Sequence, residues 1–304
     1  MTAAAQAEAA RRHSLLQALL EYLPVAPATE PRLQAAVREA VAHPGGLVRP
    51  FLAWETGRAA GLAEPEALRL ACALEYFHTA SLLLDDLPCM DDGRERRGRP
   101  CVHLVHGEAT AILAALALIN RAHLLVGLAL ASWPADRRVA GQLMVDASLG
   151  ARGLLDGQAR DLGFARQPQT AAAVAGIARQ KTGGLFQLAL QLPALGGAVA
   201  PDEWSGLGRI SLYWGLAYQI ADDLADVLAG SAETGKTTGQ DERQQRPNLA
   251  LMLGVPAARR RLGRLVRQGG VALERLQTIH PRWSYLTRYQ ERLAAHTAPL
   301  AVAA

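Results

Sequence analysis

The spacing of apolar residues is the feature that most constrains the fold. They recur at intervals of three and four, as in Leu15, Leu19 and Leu23, which is the period of an amphipathic α-helix. No stretch alternates with period two for long enough to predict a β-strand, and proline and glycine mark the breaks. Helices are predicted near 8–23, 31–42, 50–61, 65–87, 107–132, 136–163, 170–180, 184–196, 202–229, 247–253, 256–268 and 284–296.

Nothing in the composition divides the chain. No Gly/Ser-rich linker or shift in composition appears along its 304 residues, half of which are hydrophobic. This content is enough for a large buried core. The sequence therefore predicts one all-α domain over residues 1–304, a large helical bundle. Ligands of such bundles usually bind between facing helices, so the site is expected in a central cavity.

Charge and cysteine content exclude several functional classes. The formal net charge is only +4, and no basic block carries the interleaved aromatics typical of nucleic-acid binding. Three cysteines without ligand spacing fit a reducing cytosol. The charged N-terminus lacks the apolar core of a secretory signal. The apolar stretch 111–133 is interrupted by Asn120, Arg121 and His123, so a buried helix is predicted there and no membrane span. We expect a cytoplasmic protein.

An acidic cluster ends the fourth predicted helix. Residues 82–100 read LLLDDLPCMDDGRERRGRP, with Asp85 and Asp86 at the end of an apolar helix. The negative pole of the helix dipole disfavours carboxylates there, so a bound divalent cation is expected to offset the cost. Pro88 should end the helix and let Asp91 turn back towards this pair. Asp92 and Glu95 are predicted to be solvated.

A second acidic cluster follows in YQIADDLADVLAGSAETGKTTGQD. Asp222 and Asp226 are spaced to share one helix face, with Asp223 beside them, and a loop carrying Lys236 comes next. Magnesium prefers one or two carboxylates together with water and phosphate oxygens. Two acidic walls, each followed by basic residues, therefore predict a diphosphate that is bridged by magnesium and further neutralised by arginine and lysine.

The two clusters identify a family resemblance. DDLPCMD with RRGRP, and YQIADDLAD with GKT, resemble the paired aspartate-rich motifs of the trans-isoprenyl diphosphate synthases. HTASLLLDDLPCMDD is most similar to bacterial carotenoid-type geranylgeranyl diphosphate synthases. The resemblance implies an isoprenoid synthase bundle and a homodimer. It also implies magnesium-dependent, head-to-tail condensation of isopentenyl diphosphate with dimethylallyl, geranyl or farnesyl diphosphate.

Three functions stay open at this stage. The first is chain elongation, giving geranylgeranyl diphosphate or, as an alternative, farnesyl diphosphate. The second is terpene cyclisation, against which the intact DDLAD argues, because cyclases usually carry an Asn/Ser/Glu metal motif there. The third is a weakly active or regulatory subunit of a heteromer, which would be expected to lose aspartates. Only an altered glycine-rich segment, described below, favours this third function.

The resemblance also implies roles for individual residues. Three magnesium ions with bound diphosphate would be held by Asp85, Asp86, Asp91, Asp222, Asp223 and Asp226. The allylic diphosphate would be bound by Arg96, Lys181 and Lys236, and the reacting carbons would be flanked by Thr182 and Gln219. The diphosphate of isopentenyl diphosphate would be bound by Arg49, His78 and Arg97. Gln158 and Asp161 are interpreted as a structural hydrogen-bonding pair.

Tail length is expected to depend on the first-motif helix. Phe77, Ser81 and Asp85 follow one another at four-residue steps, so they share a wall of the expected tunnel. Ala80 is a small residue where farnesyl-making relatives often carry an aromatic, and Phe77 is the predicted floor. This arrangement favours a twenty-carbon product.

One segment departs from the family pattern. The family usually reads GGKRxRP where this chain reads GGLVRP, so Gly46 and Leu47 replace a lysine and an arginine. Losing a charge-assisted contact costs about 1.5–3 kcal/mol. Either another cation substitutes, or the enzyme binds its second substrate weakly, with a raised Michaelis constant, or accepts a different one.

Overall fold

The computed structural model describes residues 3–166, 170–228 and 246–301. Within these residues the chain forms α1 (Ala3–Glu21), α2 (Pro31–Ala42), α3 (Val48–Ala60), α4 (Glu64–Asp85), α5 (Val102–His106), α6 (Glu108–Leu130), α7 (Ala135–Leu149), α8 (Leu154–Leu162), α9 (Ala171–Ala178), α10 (Gly184–Gly196), α11 (Pro201–Leu228), α12 (Leu249–Leu253), α13 (Val255–Ile279) and α14 (Thr287–Thr297). Short 3₁₀ turns cover Phe164–Arg166 and Pro281–Leu286, and a π turn covers Arg179–Gly183. The predicted all-α fold is confirmed.

A two-stranded hairpin was not predicted. Strands β1 (Glu95–Arg96) and β2 (Arg99–Pro100) pair antiparallel around Arg97 and Gly98. Both turn residues have positive φ, 57° and 74°, as a tight hairpin with the right twist requires. Strands of two residues are too short to leave a period in the sequence. The hairpin turns the basic residues after the first acidic cluster back over that cluster.

The largest differences from the predicted helix bounds are at two places. The helix expected over 136–163 is interrupted between α7 and α8, where the chain passes so close to itself that a Cβ on Gly153 would lie 2.2 Å from the Ser148 carbonyl oxygen. Conversely, the helix expected over 256–268 continues through Gly269 and Gly270 to Ile279. Gly269 packs against Trp214, where an added Cβ would lie 3.0 Å from the indole nitrogen. Here packing outweighs the low helix propensity of glycine.

Two inner helices carry the acidic clusters. The apolar α4 packs against α3 and α6, and α11 packs against α10 and α13. Tyr76 of α4, Phe186 of α10 and Trp214 of α11 are among the largest fully buried side chains. Because both helices are fixed by packing on several sides, the aspartates at their C-terminal ends are held on a rigid frame.

Helix α6 is the one described helix long and apolar enough to cross a membrane, judged by length and composition. Core helices of soluble proteins can have the same length and composition. One face of α6 packs against α4 and α2. The opposite face exposes a stripe of aliphatic side chains: Ile112, Leu113, Leu116, Leu124 and Leu128. The prediction of a buried helix is therefore wrong for this face.

Candidate active site

Both acidic clusters open into one cavity of about 490 Å³. Its wall combines residues of α3, α4, α8, α9, α10 and α11 with the β-hairpin and the segment before α12. The six predicted metal ligands all line it: Asp85, Asp86, Asp91, Asp222, Asp223 and Asp226. Helices distant in sequence thus bring the two acidic motifs to a common space, as their similarity suggested.

The first cluster has the expected local geometry. Helix α4 ends at Asp85, and the turn through Pro88 allows the Asp91 amide to donate to the Asp85 carbonyl at 2.9 Å. Asp92 and Glu95 are exposed, as predicted. Burial raises the pKa of Asp85 to about 6, against the opposing attraction of Lys181. A cation at this position would favour the charged carboxylate and reverse that shift.

Asp86 is paired within the protein. It is buried and lies 3.2 Å from Arg96 Nε, so the hairpin arginine is fixed on the first acidic cluster. Gly93 permits this arrangement, because a Cβ there would lie 2.9 Å from Asp86 Oδ1. The predicted metal ligand and the predicted diphosphate-binding arginine are therefore partners in the ligand-free protein.

The second cluster is connected to the two residues that were predicted to flank the reacting carbons. Thr182 Oγ1 donates to Gln219 Oε1 at 2.6 Å, and Gln219 Nε2 donates to Asp223 Oδ1 at 2.9 Å. Asp223 Oδ2 also accepts from the Leu249 amide at 2.8 Å, which ties α11 to α12. Asp222 and Asp226 line the same wall one turn apart. Thr182 and Gln219 are thus adjacent, as their predicted common role requires.

Two cations cross-link the carboxylates. Lys181, in the π turn, lies 3.1 Å from Asp161 Oδ2, and π turns are frequent at functional sites. Burial acts to lower the pKa of Lys181, but the carboxylates of Asp161, Asp85 and Asp91 outweigh it and raise that pKa. Arg246 donates to Asp91 Oδ1 at 3.0 Å and lies 3.7 Å from Asp161 Oδ2.

Three residues were misread or missed in the sequence. Gln158 and Asp161 were interpreted as a pair, but Gln158 Nε2 donates to Asp85 Oδ1 at 2.8 Å and Asp161 binds Lys181 and Arg246. Both belong to the cavity wall. Arg246 was missed because it lies in the predicted break at 230–247, and only its position after the second acidic cluster could have indicated it. Lys236 lies outside the described residues.

A basic group occupies another part of the cavity. Arg49, His78 and Arg97 all line it, with Arg49 Nη1 3.5 Å from His78 Nε2. The Arg49 guanidinium lies 4.8 Å from the centre of the Phe186 ring, which positions it from the other side. Burial, together with Arg49, Arg97 and Arg96, holds the pKa of His78 well below its usual value. His78 is therefore a neutral hydrogen-bonding group near pH 7.

The predicted tail-length residues differ in position. Ser81 lines the cavity, whereas Ala80 and Phe77 are buried behind its wall. Phe77 makes an edge-to-face contact with His123 of α6, with ring centres 5.0 Å apart. The role of Phe77 and Ala80 in setting tail length stays a prediction.

Known proteins with this fold define its class. A geranyltransferase from Helicobacter pylori, solved with magnesium and isoprenyl diphosphate, superposes with a TM-score of 0.80 and 25% identity over 99% of this chain and 98% of that one. The all-α frame with two acidic motifs facing one cavity is that of the isoprenoid synthases. The polyprenyl synthetase family model matches residues 30–279, so this chain belongs to that family and is a trans-prenyltransferase. The resemblance seen in the sequence is confirmed.

The curated relatives include synthases named for products of two different chain lengths. A geranylgeranyl diphosphate synthase of Pseudescherichia vulneris is 39% identical over 229 residues, which cover 75% of this chain and 73% of the relative. A probable farnesyl diphosphate synthase of Sinorhizobium fredii is 34% identical over 285 residues, covering 92% and 84%. Similarity alone thus leaves the product length open.

Proposed function

We propose that this enzyme condenses isopentenyl diphosphate with an allylic diphosphate, either dimethylallyl, geranyl or farnesyl, and stops at twenty carbons. The observation that carries the proposal is the common cavity shared by the two acidic clusters, with Lys181 and Arg246 between carboxylates. All six motif aspartates are present, which argues against a terpene cyclase or a regulatory subunit.

The residues fit magnesium. Among the described residues no three His, Cys, Asp or Glu side chains converge on a ready-made metal site. This agrees with a cation that takes one or two carboxylates per ion and completes its shell with diphosphate oxygens. We propose that Asp85 and Asp91 on one wall and Asp222 and Asp226 on the other hold three such ions, with Asp86 and Asp223 in support. When bound, they supply charge stabilisation for the departing diphosphate.

The chain's own residues divide the remaining work. Lys181, Arg96 and Arg246, together with Lys236, bind the leaving diphosphate as charge-assisted donors. The Thr182 hydroxyl and Gln219 amide direct their dipoles at the allylic carbons. Arg49, His78 and Arg97 hold the second diphosphate. Aliphatic side chains of the wall exclude water that would otherwise react with the allylic cation: Leu82, Leu154, Val174, Ile177 and Leu185.

Product analysis tests this proposal. The purified chain is incubated with magnesium, isopentenyl diphosphate and each allylic primer, and products are separated by chromatography. Geranylgeranyl diphosphate is expected. Ser81→Phe, on the cavity wall, and Ala80→Tyr should both shift the product towards farnesyl diphosphate, and Phe77→Ala should lengthen it.

Thermal melts control for overpacking at the fully buried Ala80. Ser81 is only half-buried, so Ser81→Phe tests the same wall with less risk to the core. Farnesyl diphosphate as the main wild-type product, unchanged in both shortened-tunnel variants, would refute the tail-length argument. Absence of any condensation product would refute the proposed function.

The exposed α6 stripe supports a homodimer. Leu116 is 53% exposed, and Val139 and Leu143 of α7 add further exposed aliphatic surface. A second copy is the proposed cover, and α6 is then an interface helix of a cytoplasmic dimer. Light scattering should show a dimer that Leu116→Asp with Leu124→Asp dissociates. Leu20→Asp, on an exposed leucine of α1, is the matched control. A monomeric wild type would contradict this.

A further inference from the structure

We propose that Arg12 of α1 replaces the cations missing from the GGLVRP segment and binds the diphosphate of isopentenyl diphosphate. This inference rests on the proposed function and identifies a further binding residue in it. The altered segment left open whether another cation substitutes or the second substrate binds weakly. We infer that another cation, Arg12, substitutes.

The segment itself offers no charge. Leu47 directly precedes α3 with a positive φ of 53° and is 3% exposed, because its side chain packs into the core. Gly46 is exposed, and a Cβ there would meet nothing closer than Val48 Cγ2 at 3.7 Å. The space beside Gly46 is therefore open to a side chain from elsewhere in the chain.

Arg12 reaches this segment from the N-terminal helix. Its Nη2 lies 3.4 Å from the Gly45 carbonyl oxygen, and the residue is partly buried. Arg97 reaches the same turn from the hairpin, donating to the His43 carbonyl at 2.9 Å. Arg97 Nη2 lies only 2.9 Å from the position that a Cβ on Gly45 would occupy. Two arginines thus converge on the turn that lacks its own cations.

One buried carboxylate attracts all of these arginines. Glu75 lies on α4 one turn before His78 and is 3% exposed. Its charge interacts with those of Arg12, Arg49 and Arg97, and these attractions oppose the burial that raises its pKa to about 7. Asp222 also attracts Arg49, and Asp86 also attracts Arg97. Three guanidinium groups clustered in this way offer several charge-assisted donors to a multiply charged anion such as diphosphate.

A purely structural role for Arg12 makes a different prediction. If Arg12 only caps the turn, its loss should lower stability or affect both substrates alike. If it binds the second substrate, Arg12→Ala should raise the Michaelis constant for isopentenyl diphosphate about tenfold, the loss expected for one charge-assisted hydrogen bond. The kcat and the Michaelis constant for the allylic substrate should change by less than about twofold.

Two further variants decide between these roles. Gly46→Lys placed in the Arg12→Ala background should restore most of the isopentenyl affinity, although it cannot restore the bond to the Gly45 carbonyl. Arg11→Ala removes a neighbouring cation of the same helix that faces Glu55 at 3.9 Å, and it should leave both Michaelis constants unchanged.

The inference is overturned if Arg12→Ala leaves isopentenyl affinity unchanged, weakens both substrates equally, or is not rescued by Gly46→Lys. Calorimetric titration of isopentenyl diphosphate alone should give the same ranking of variants. Failure of the proposed function is distinguishable, because the wild type would then form no product from isopentenyl diphosphate at all.

Discussion

The cavity has an acidic half and a basic half, and the two carry opposite excess charges. In the acidic half, carboxylates of α8 and of the turn that follows α4 are cross-linked by internal cations: Asp86 with Arg96, Asp161 with Lys181, and Asp91 with Arg246. In the basic half, Arg49 and Arg97 line the cavity, and Arg12 lies behind them near the same buried carboxylate, Glu75. The acidic half therefore keeps an excess of negative charge, because the six motif aspartates and Asp161 outnumber its three cations, whereas the basic half carries an excess of positive charge.

Because their charges differ, the two halves should respond differently to their ligands. Magnesium and diphosphate together can replace internal partners in the acidic half, because Lys181 and Arg246 can move from carboxylate to phosphate oxygens without leaving a buried charge unpaired. The basic half needs only an anion. Turnover should therefore depend on every member of the network in the acidic half. Affinity for isopentenyl diphosphate should depend on the number of cations that face the anion in the basic half.

The largest effect should come from removing a carboxylate of the acidic half. Asp85→Asn and Asp222→Asn should each reduce kcat by roughly 10³-fold or more, because each removes a proposed metal ligand. Circular dichroism melts should show an intact fold. Asp92→Asn is the control, since Asp92 belongs to the same motif but is exposed. Near-normal turnover of either ligand variant, measured at saturating magnesium, would remove the metal assignment.

A smaller loss is expected from Arg246→Ala. The Arg246 side chain is 8% exposed and donates to the Met90 carbonyl at 2.7 Å as well as to Asp91. Its removal should lower kcat/KM for the allylic substrate by about 10²-fold, a typical cost of one donor to developing negative charge. The Michaelis constant for isopentenyl diphosphate should stay within about twofold. Arg246→Lys should recover part of the loss, and equal weakening of both substrates would contradict the division into two halves.

The sequence predicts the acidic half better than the basic half. Asp85, Asp222 and their neighbours stand in local motifs at the ends of periodic apolar helices, so helix period and charge reveal them. The seven-residue spacing of His78 and Asp85 likewise predicts their common wall, and both line the cavity. These predictions need only the geometry of one helix.

Other features depend on contacts between distant segments. Arg12 and Gly45 are 33 residues apart, and Arg246 and Asp91 are 155 apart. Neither pair leaves a local pattern that a single sequence reveals. The continuation of α13 past Gly269 has the same origin, because the space around this glycine is set by Trp214 of α11 and not by propensity.

Glu75→Gln should change the pH dependence of stability. Burial raises the pKa of Glu75 from 4.5 to about 7, so the folded protein binds this proton more tightly than the unfolded chain. The free energy of unfolding of the wild type should then fall as pH rises from 4.5 to 7 and stay reduced above it.

A glutamine at this position does not titrate, so the variant should show a flatter profile and gain, relative to wild type, up to roughly 3 kcal/mol above pH 7. Denaturant unfolding between pH 5 and 8 measures this difference. Glu291→Gln, on an exposed glutamate of α14, is the control and should follow the wild-type profile. A wild type whose stability is as flat as that of the Glu75→Gln variant between pH 5 and 8 would show that the three arginines outweigh burial and hold the pKa of Glu75 at or below its usual value.

The smallest effect should be that of Gly46→Lys in the otherwise unchanged enzyme. If Arg12 already supplies the missing cation, a lysine at position 46 adds a charge where the anion is already paired, and the Michaelis constant for isopentenyl diphosphate should fall by less than about twofold. If the position is an unfilled vacancy, the same lysine adds a new charge-assisted contact and should lower that constant by about tenfold. The φ of Gly46 is not positive, and a Cβ there would meet only Val48 Cγ2 at 3.7 Å. Steric strain from the lysine should therefore not obscure the result. Initial rates at saturating allylic substrate measure the difference. A tenfold gain would show that the basic half lacks a cation, and it would reverse the contrast with the acidic half.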